Sequence, residues 1–503
     1  MRAFFKTVAI VTVFSVCEKF LGFIYRIYMS QTIGAEGVGI YQVALSVFAF
    51  LLTLTCSGTP ITVSRLITKY LAEGKQKKVF SVITAGICFS LFIALPICLF
   101  FFVFGDNLSF IFADERCKDV FFIVLPGLIF NSVYSIIRGV FWGTKDFLPY
   151  SVIELLEEIC MIVFGIILMS GATSAHQGAY YAGVAVLISY TLSFLLSIIV
   201  YFVRKNKLAN PKTQFKPLIA SSLPVTLMRT INSLAVSLVS IILPMRLVAA
   251  GYSESQAISL FGAAAGQAIP LLFIPTTLIG SFTLVLVPEI AENYYKNRTK
   301  YLKNDIEKAL KFTVILSCLF IPVYAVCGEE IGMLVFNSYE CGKYLSASAF
   351  LMVFMGLSNI STSILNSIGC EKPALVFVII SGIFMLISIY VLPHFIGIYA
   401  LLVGFSFVYC LTSILNLILI HKKSAEKPKL LSFFLACALI LIPTTLLGYM
   451  LEKMLLPLLG TTLTLIASGL IMVLFYVGIS FGFNLIDFNI IKAKMHLKKK
   501  NAV

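Results

Sequence analysis

Apolar runs of about 20 residues recur fourteen times along this chain, and that recurrence leaves few folds open. Their approximate limits are 5–29, 37–57, 79–104, 120–142, 148–169, 179–203, 217–250, 257–290, 312–327, 344–368, 374–392, 398–420, 430–449 and 459–481. A helix of that length crosses a bilayer core with every backbone polar group satisfied internally. The gaps between runs do not exceed about twenty residues, too short for a soluble catalytic domain. Composition agrees, with 59% hydrophobic and 12% charged residues and a mean hydropathy of +0.99. We therefore expect an all-α, polytopic membrane protein of about 14 transmembrane helices. The start, Arg2 and Lys6 followed by an apolar run to Cys17, mimics a signal peptide. It lacks a small-residue cleavage site and resumes after Lys19, so it reads as helix one.

Charge placement gives an independent orientation. With the amino terminus inside, 29 of the 38 lysines and arginines fall in inward segments, 4 in outward ones and 5 within spans. That asymmetry is what the positive-inside rule demands, and it puts both termini in the cytoplasm. The net charge of +15 then belongs to a cytoplasmic face meeting anionic lipid. Nucleic acid is a poor partner, because the basic residues are scattered over short segments. Two inward segments, 60–78 and 293–311, alternate bases with apolar residues. They read either as amphipathic interfacial helices or as basic loops that only fix topology.

Enzymatic chemistry finds no foothold. The 12 cysteines stand singly among apolar residues without a Cys-x-x-Cys pair or a histidine at ligand spacing, so they read as small core hydrophobes. Cys117 and Cys341 alone fall in outward loops and are the one pair for which a bridge is conceivable. There is no Walker A loop, aspartate-rich diphosphate motif or nucleophile elbow. We expect no metal, no cofactor and no enzyme.

A faint internal repeat suggests how the helices are grouped. Ile40–Glu73 echoes Leu260–Asn293, with Gly58 and Gly280 at corresponding places to within two residues, and Ile136–Val140 more weakly echoes Ile364–Ile368. An offset of six helices gives parallel repeats with a central cavity between them. The expected division is 1–215 (helices one to six), 216–429 (seven to twelve) and 430–503 (two extra helices and a basic tail). Helices seven and eight are rich in breakers, among them Pro224, Pro270 and Pro275, which serve either as hinges or as static kinks. The nearby Gly262-Ala-Ala-Ala-Gly266 is a close-packing motif.

Charges inside spans are the candidate functional residues. A charge at a helix centre costs about 2.5–3.5 kcal/mol on insertion scales, so it faces protein or a wet cavity. Helix one carries Glu18, Lys19 and Arg26. Lys19 and Arg26 are seven residues apart, on nearly one face and roughly 10 Å apart along the axis. Two stacked cations suit an anionic substrate; alternatively, Glu18 neutralises Lys19 and Arg26 snorkels outward. Arg138 ends helix four, and Arg229 lies in helix seven. Glu154, Glu157 and Glu158 stand at i, i+3 and i+4 on helix five, one face. Facing lipid, three carboxylates would cost on the order of 8–10 kcal/mol, so they must face inward.

Several of these stretches resemble a known family. Gly22-Phe-Ile-Tyr-Arg-Ile-Tyr28, Ile33-Gly-Ala-Glu-Gly-Val-Gly-Ile-Tyr-Gln42 and Ser57-Gly-Thr-Pro-Ile-Thr-Val-Ser-Arg65 resemble the opening of the polysaccharide-transporter branch of the MOP (multidrug/oligosaccharidyl-lipid/polysaccharide) superfamily. The similarity is to the sporulation-protein-B group and the lipid II flippases. Arg138, Gly139, Gly143, Pro149 and Glu157 match the group's helix-four and helix-five pattern, whereas Trp142, Glu154 and Glu158 replace glutamines. Lys19 falls where lipid II flippases carry an essential arginine. The resemblance implies a flippase in the bacterial cytoplasmic membrane, with peptidoglycan and sporulation as its family context. Its substrate would be a polyprenyl-pyrophosphate-linked saccharide, its head group bound by Lys19, Arg26, Arg229 and Arg138. Glu18, Glu154, Glu157 and Glu158 would be cavity acids or sites for a coupling ion, H+ or Na+. The rival within the superfamily is a cation-coupled multidrug antiporter.

Overall fold

The computed structural model describes residues 2–105, 112, 114–204, 207–423, 431–483 and 485, so the basic carboxy-terminal tail and most of segment 421–429 lie outside it. Among the described residues the secondary structure is helical, without strands. Each of the fourteen apolar runs falls on helix. Among the described residues, nine helices are long and apolar enough to cross a membrane, or up to eleven with each of two bent helix pairs taken as one span. The difference from fourteen has physical causes. Arg2–Cys56 is one helix bent at Gly34 (φ 68°, ψ −179°), and Leu431–Gly482 is one helix bent at Gly460 (φ 72°, ψ 172°), so each carries two runs. The left-handed φ at both breaks is one that glycine adopts without a Cβ penalty. Phe147–Met169 carries three glutamates and so drops out of the apolar class.

The chain forms two compact units, residues 1–266 and 267–503. Helix Phe215–Ala249, which the sequence grouping assigns to 216–429, packs within the first unit. Its Ser237 hydroxyl donates to the Ser46 carbonyl, and Thr53 Oγ1 donates to Ser233 Oγ at 3.2 Å. In the second unit, Tyr324 of the 38-residue helix Thr299–Phe336 donates its hydroxyl to the Leu271 carbonyl at 3.1 Å, tying that helix to Ile269–Tyr295.

Both expected interfacial helices turn out differently. Thr59–Ala72 is amphipathic, but its apolar face is covered by protein: Val63, Ile67 and Tyr70 pack with Val82, Ile83, Ile136, Ile137 and Phe141. Glycines make that contact possible. A Cβ at Gly139 would stand 2.6 Å from the Pro60 carbonyl oxygen, and one at Gly143 2.8 Å from that of Ser64. Truncating fully buried Ile67 to alanine should cost about 2–5 kcal/mol. The segment 293–311 is no separate surface helix. Ile269–Tyr295 ends there, Asn297 turns the chain with φ 52°, and Thr299 starts the next helix, with Leu302 and Ile306 buried.

The helices run on through Pro224 and Pro275, and Pro270 lies within a continuous helix, where its missing N–H leaves the Gly266 carbonyl without an α-ladder donor. The irregularity sits just before it, in a π-helical stretch, Gly262–Ala268. Cys117 and Cys341 are both buried free thiols, so no bridge joins them.

Candidate functional site

The site within residues 1–266 is built on two helices that approach through small residues. The first limb of Arg2–Cys56 lies against Phe147–Met169, with Gly22 facing Glu158 (a Cβ would be 2.8 Å from Oε1) and Tyr25 seated over Gly165. Glu18, Gly22 and Tyr25 recur at helical spacing, so one stripe of the limb makes the whole contact. Glu18 is half-buried and stands within electrostatic reach of Glu154 and Glu158. The three glutamates of helix five therefore face protein, and helix one adds a fourth acid.

Arg138 joins this group from helix Gly127–Gly143. Its Nη1 pairs with Glu154 Oε1 at 3.1 Å, both groups partly buried. The guanidinium carbon is 5.2 Å from the Trp142 ring centre and 5.8 Å from that of Tyr134. An arginine both stacked and charge-paired is held in place and largely neutralised. Trp142 also meets Tyr150 edge to face, with ring centres 5.7 Å apart. Two departures from the family pattern, Trp142 and Glu154, thus act together on one arginine. Glu157 lies deeper: its Oε2 is buried and has no hydrogen-bond partner.

The cations proposed for an anionic head group differ in their surroundings. Arg26 is partly buried and its Nη1 donates to the Gly266 carbonyl at 2.9 Å, inside the π-helical stretch. A π turn leaves carbonyls out of register with the α ladder, and an arginine satisfies one here. No sequence pattern announces that contact, because its partners lie 240 residues apart. Lys19 is exposed and, among the described residues, pairs with no acid, Glu18 included. Successive helical residues diverge by about 100°, so Glu18 turns into the helix contact while Lys19 turns out of it. Exposed Val16, Phe20 and Ile24 mark the neighbouring face. Arg229 is likewise exposed.

Residues 4–294 match the polysaccharide biosynthesis protein family. The chain belongs to that family. It is 24% identical over 408 residues to stage V sporulation protein B of Bacillus subtilis (strain 168), covering 75% of this chain and 78% of the relative. It is 23% identical over 422 residues to lipid II flippase MurJ of the same organism, covering 75% of each. Among solved structures, a lipid II flippase MurJ in an inward closed conformation aligns with a TM-score of 0.73 at 15% identity, over 95% of this chain and 100% of that one. An inward-facing multidrug resistance MATE family transporter of the MOP superfamily aligns with a TM-score of 0.66 at 15% identity, over 80% and 93%. The family member described here thus has a MurJ- and MATE-like multi-pass helical fold, and the resemblance carried by its opening motifs holds.

Proposed function

We propose that this chain is a flippase, not an enzyme, that moves a polyprenyl-pyrophosphate-linked saccharide across the bacterial cytoplasmic membrane by alternating access. Both termini would be cytoplasmic and the basic inner face would meet anionic lipid. Family membership and the relative named lipid II flippase support the class. The observation that carries the substrate chemistry is Lys19: a cation on a membrane-length helix with no partner among the described residues. A charge left unpaired at that depth is costly unless a ligand or water meets it. A pyrophosphate brings two or more negative charges, which such a cation offsets.

A charge-assisted contact to phosphate contributes about 1.5–3 kcal/mol, so Lys19→Gln should weaken substrate binding on the order of ten- to a hundred-fold. Lys19→Arg should keep it. The check is complementation of a flippase-deficient strain at matched membrane levels. Equal growth with Lys19→Gln and wild type would remove the anionic-substrate argument.

A second reading has its own support. Four clustered carboxylates, one with an unpartnered buried oxygen, suit coupling to H+ or Na+, and the MATE-like fold suits export of an organic cation. Drug accumulation in cells with and without the chain distinguishes it: resistance to organic cations without any effect on lipid-linked saccharides favours the antiporter.

A further inference from the structure

Away from the charged cluster, a cavity of about 510 Å³ opens between Arg116–Val124 and the start of Ala175–Val203, lined by Asp119, Phe122, Ile123, His176, Gln177 and Tyr180. Its size is within the roughly 300–1,000 Å³ of small-ligand sites. Its walls are held firmly. Ser174 caps Ala175–Val203 by accepting from the Gln177 N–H. Gln177 Oε1 accepts from Thr173 N and Oγ1 at 2.9 and 2.8 Å, and its Nε2 donates to the Tyr181 hydroxyl at 2.9 Å. Beside it, Arg116 is clamped by Asp114 (2.6 Å) and Glu36 (2.7 Å).

The lining chemistry is selective. Two aromatic rings, Phe122 and Tyr180, offer apolar faces. Asp119 supplies a carboxylate, and the side chain of Gln177 is fixed in orientation. His176 Nε2 lies 3.1 Å from Asp119 Oδ2, so an imidazole and a carboxylate stand side by side on the cavity wall. An anionic ligand would meet Asp119, and among the described residues no lysine or arginine lines the cavity to receive it. A sugar ring fits: its C–H face packs on an aromatic ring, while neighbouring hydroxyls donate to a carboxylate and bond with an imidazole and an amide.

We propose that this cavity is a saccharide subsite, gripping a neutral sugar ring between Tyr180 or Phe122 and the polar group Asp119, His176 and Gln177. The proposal rests on the reading of the chain as a mover of saccharide-linked lipid. In that topology the cavity is on the outer face, where the transported head group emerges.

The test is saturation-transfer difference NMR on the full-length protein in lipid nanodiscs, with N,N′-diacetylchitobiose and maltose as probes at low-millimolar concentration. Wild type should transfer saturation to the ring protons of at least one probe. Tyr180→Ala and Asp119→Asn should each reduce it by about five-fold or more, and Tyr180→Phe should retain it. Asp119 is well exposed, so its asparagine variant keeps the test open if Tyr180→Ala does not fold. No transfer from either probe to wild type, or transfer unchanged in both variants, overturns the subsite. Reconstituted transport separates the two readings. A wild type that moves saccharide-linked lipid but transfers no saturation defeats the subsite alone. Variant-sensitive transfer without transport defeats the flippase reading and leaves a sugar site.

Discussion

Glu157 is the residue whose environment most needs explaining. Its Oε2 is buried and makes no hydrogen bond among the described residues; Ser193 and Arg138 are the neighbours that favour its charge, and a buried charge so thinly compensated is expensive unless a proton or a cation joins it. Glu157→Gln keeps the shape and removes the titration, so it should flatten the pH dependence of transport while leaving membrane levels intact. Unchanged pH profiles for Glu154, Glu157 and Glu158 variants alike would make the cluster purely structural. Lys19 offers a parallel test with its neighbour. Because it makes no pair with Glu18, the double change Glu18→Gln with Lys19→Gln should remain as defective as Lys19→Gln alone. Full complementation by the double variant would show that the two charges serve only each other. Arg138 and Arg26 differ from Lys19, since each already has a protein acceptor.

At the scale of elements, apolar period and length were enough to place the helices, and the spacing of Glu154, Glu157 and Glu158 was enough to turn them inward. Contacts between distant segments were not legible. Thr59–Ala72 looked interfacial because a helix with one apolar face reads the same against lipid headgroups or against protein. Only the glycines of Gly127–Gly143 decide it, and their role depends on Pro60 and Ser64 lying across from them. The proline-rich stretch read as hinges or as static kinks; a helix with neighbours to satisfy its backbone runs on through proline, and the π-helical irregularity lies at Gly262–Ala268. The cavity at Asp119 and His176 was missed altogether, because its walls come from two helices some fifty residues apart. A direct check of the Thr59–Ala72 contact is Gly139→Val. A side chain there meets backbone at 2.6 Å, so the variant should lose about 2 kcal/mol or more of stability, read as a lower thermal midpoint in detergent. An unchanged midpoint would mean the two helices are not so closely packed.

For the whole molecule, the uneven distribution of 29 inward and 4 outward cations makes topology a sharp prediction. In a cysteine-free background, single cysteines at 176 or 394 should react with an impermeant reagent from outside, and those at 210 or 425 only from inside. Inverted labelling at either pair contradicts the orientation. The central claim is that a molecule with this fold moves a saccharide attached to a lipid pyrophosphate. It is tested most directly in proteoliposomes holding the purified full-length chain and a fluorescent polyprenyl-pyrophosphate-linked saccharide. The account predicts that the label becomes accessible to an impermeant quencher faster than in protein-free vesicles, that Lys19→Gln slows this on the order of ten-fold or more at limiting substrate, and that an organic cation is not moved. Movement of the organic cation, with the saccharide-linked lipid remaining at the protein-free rate, would contradict it.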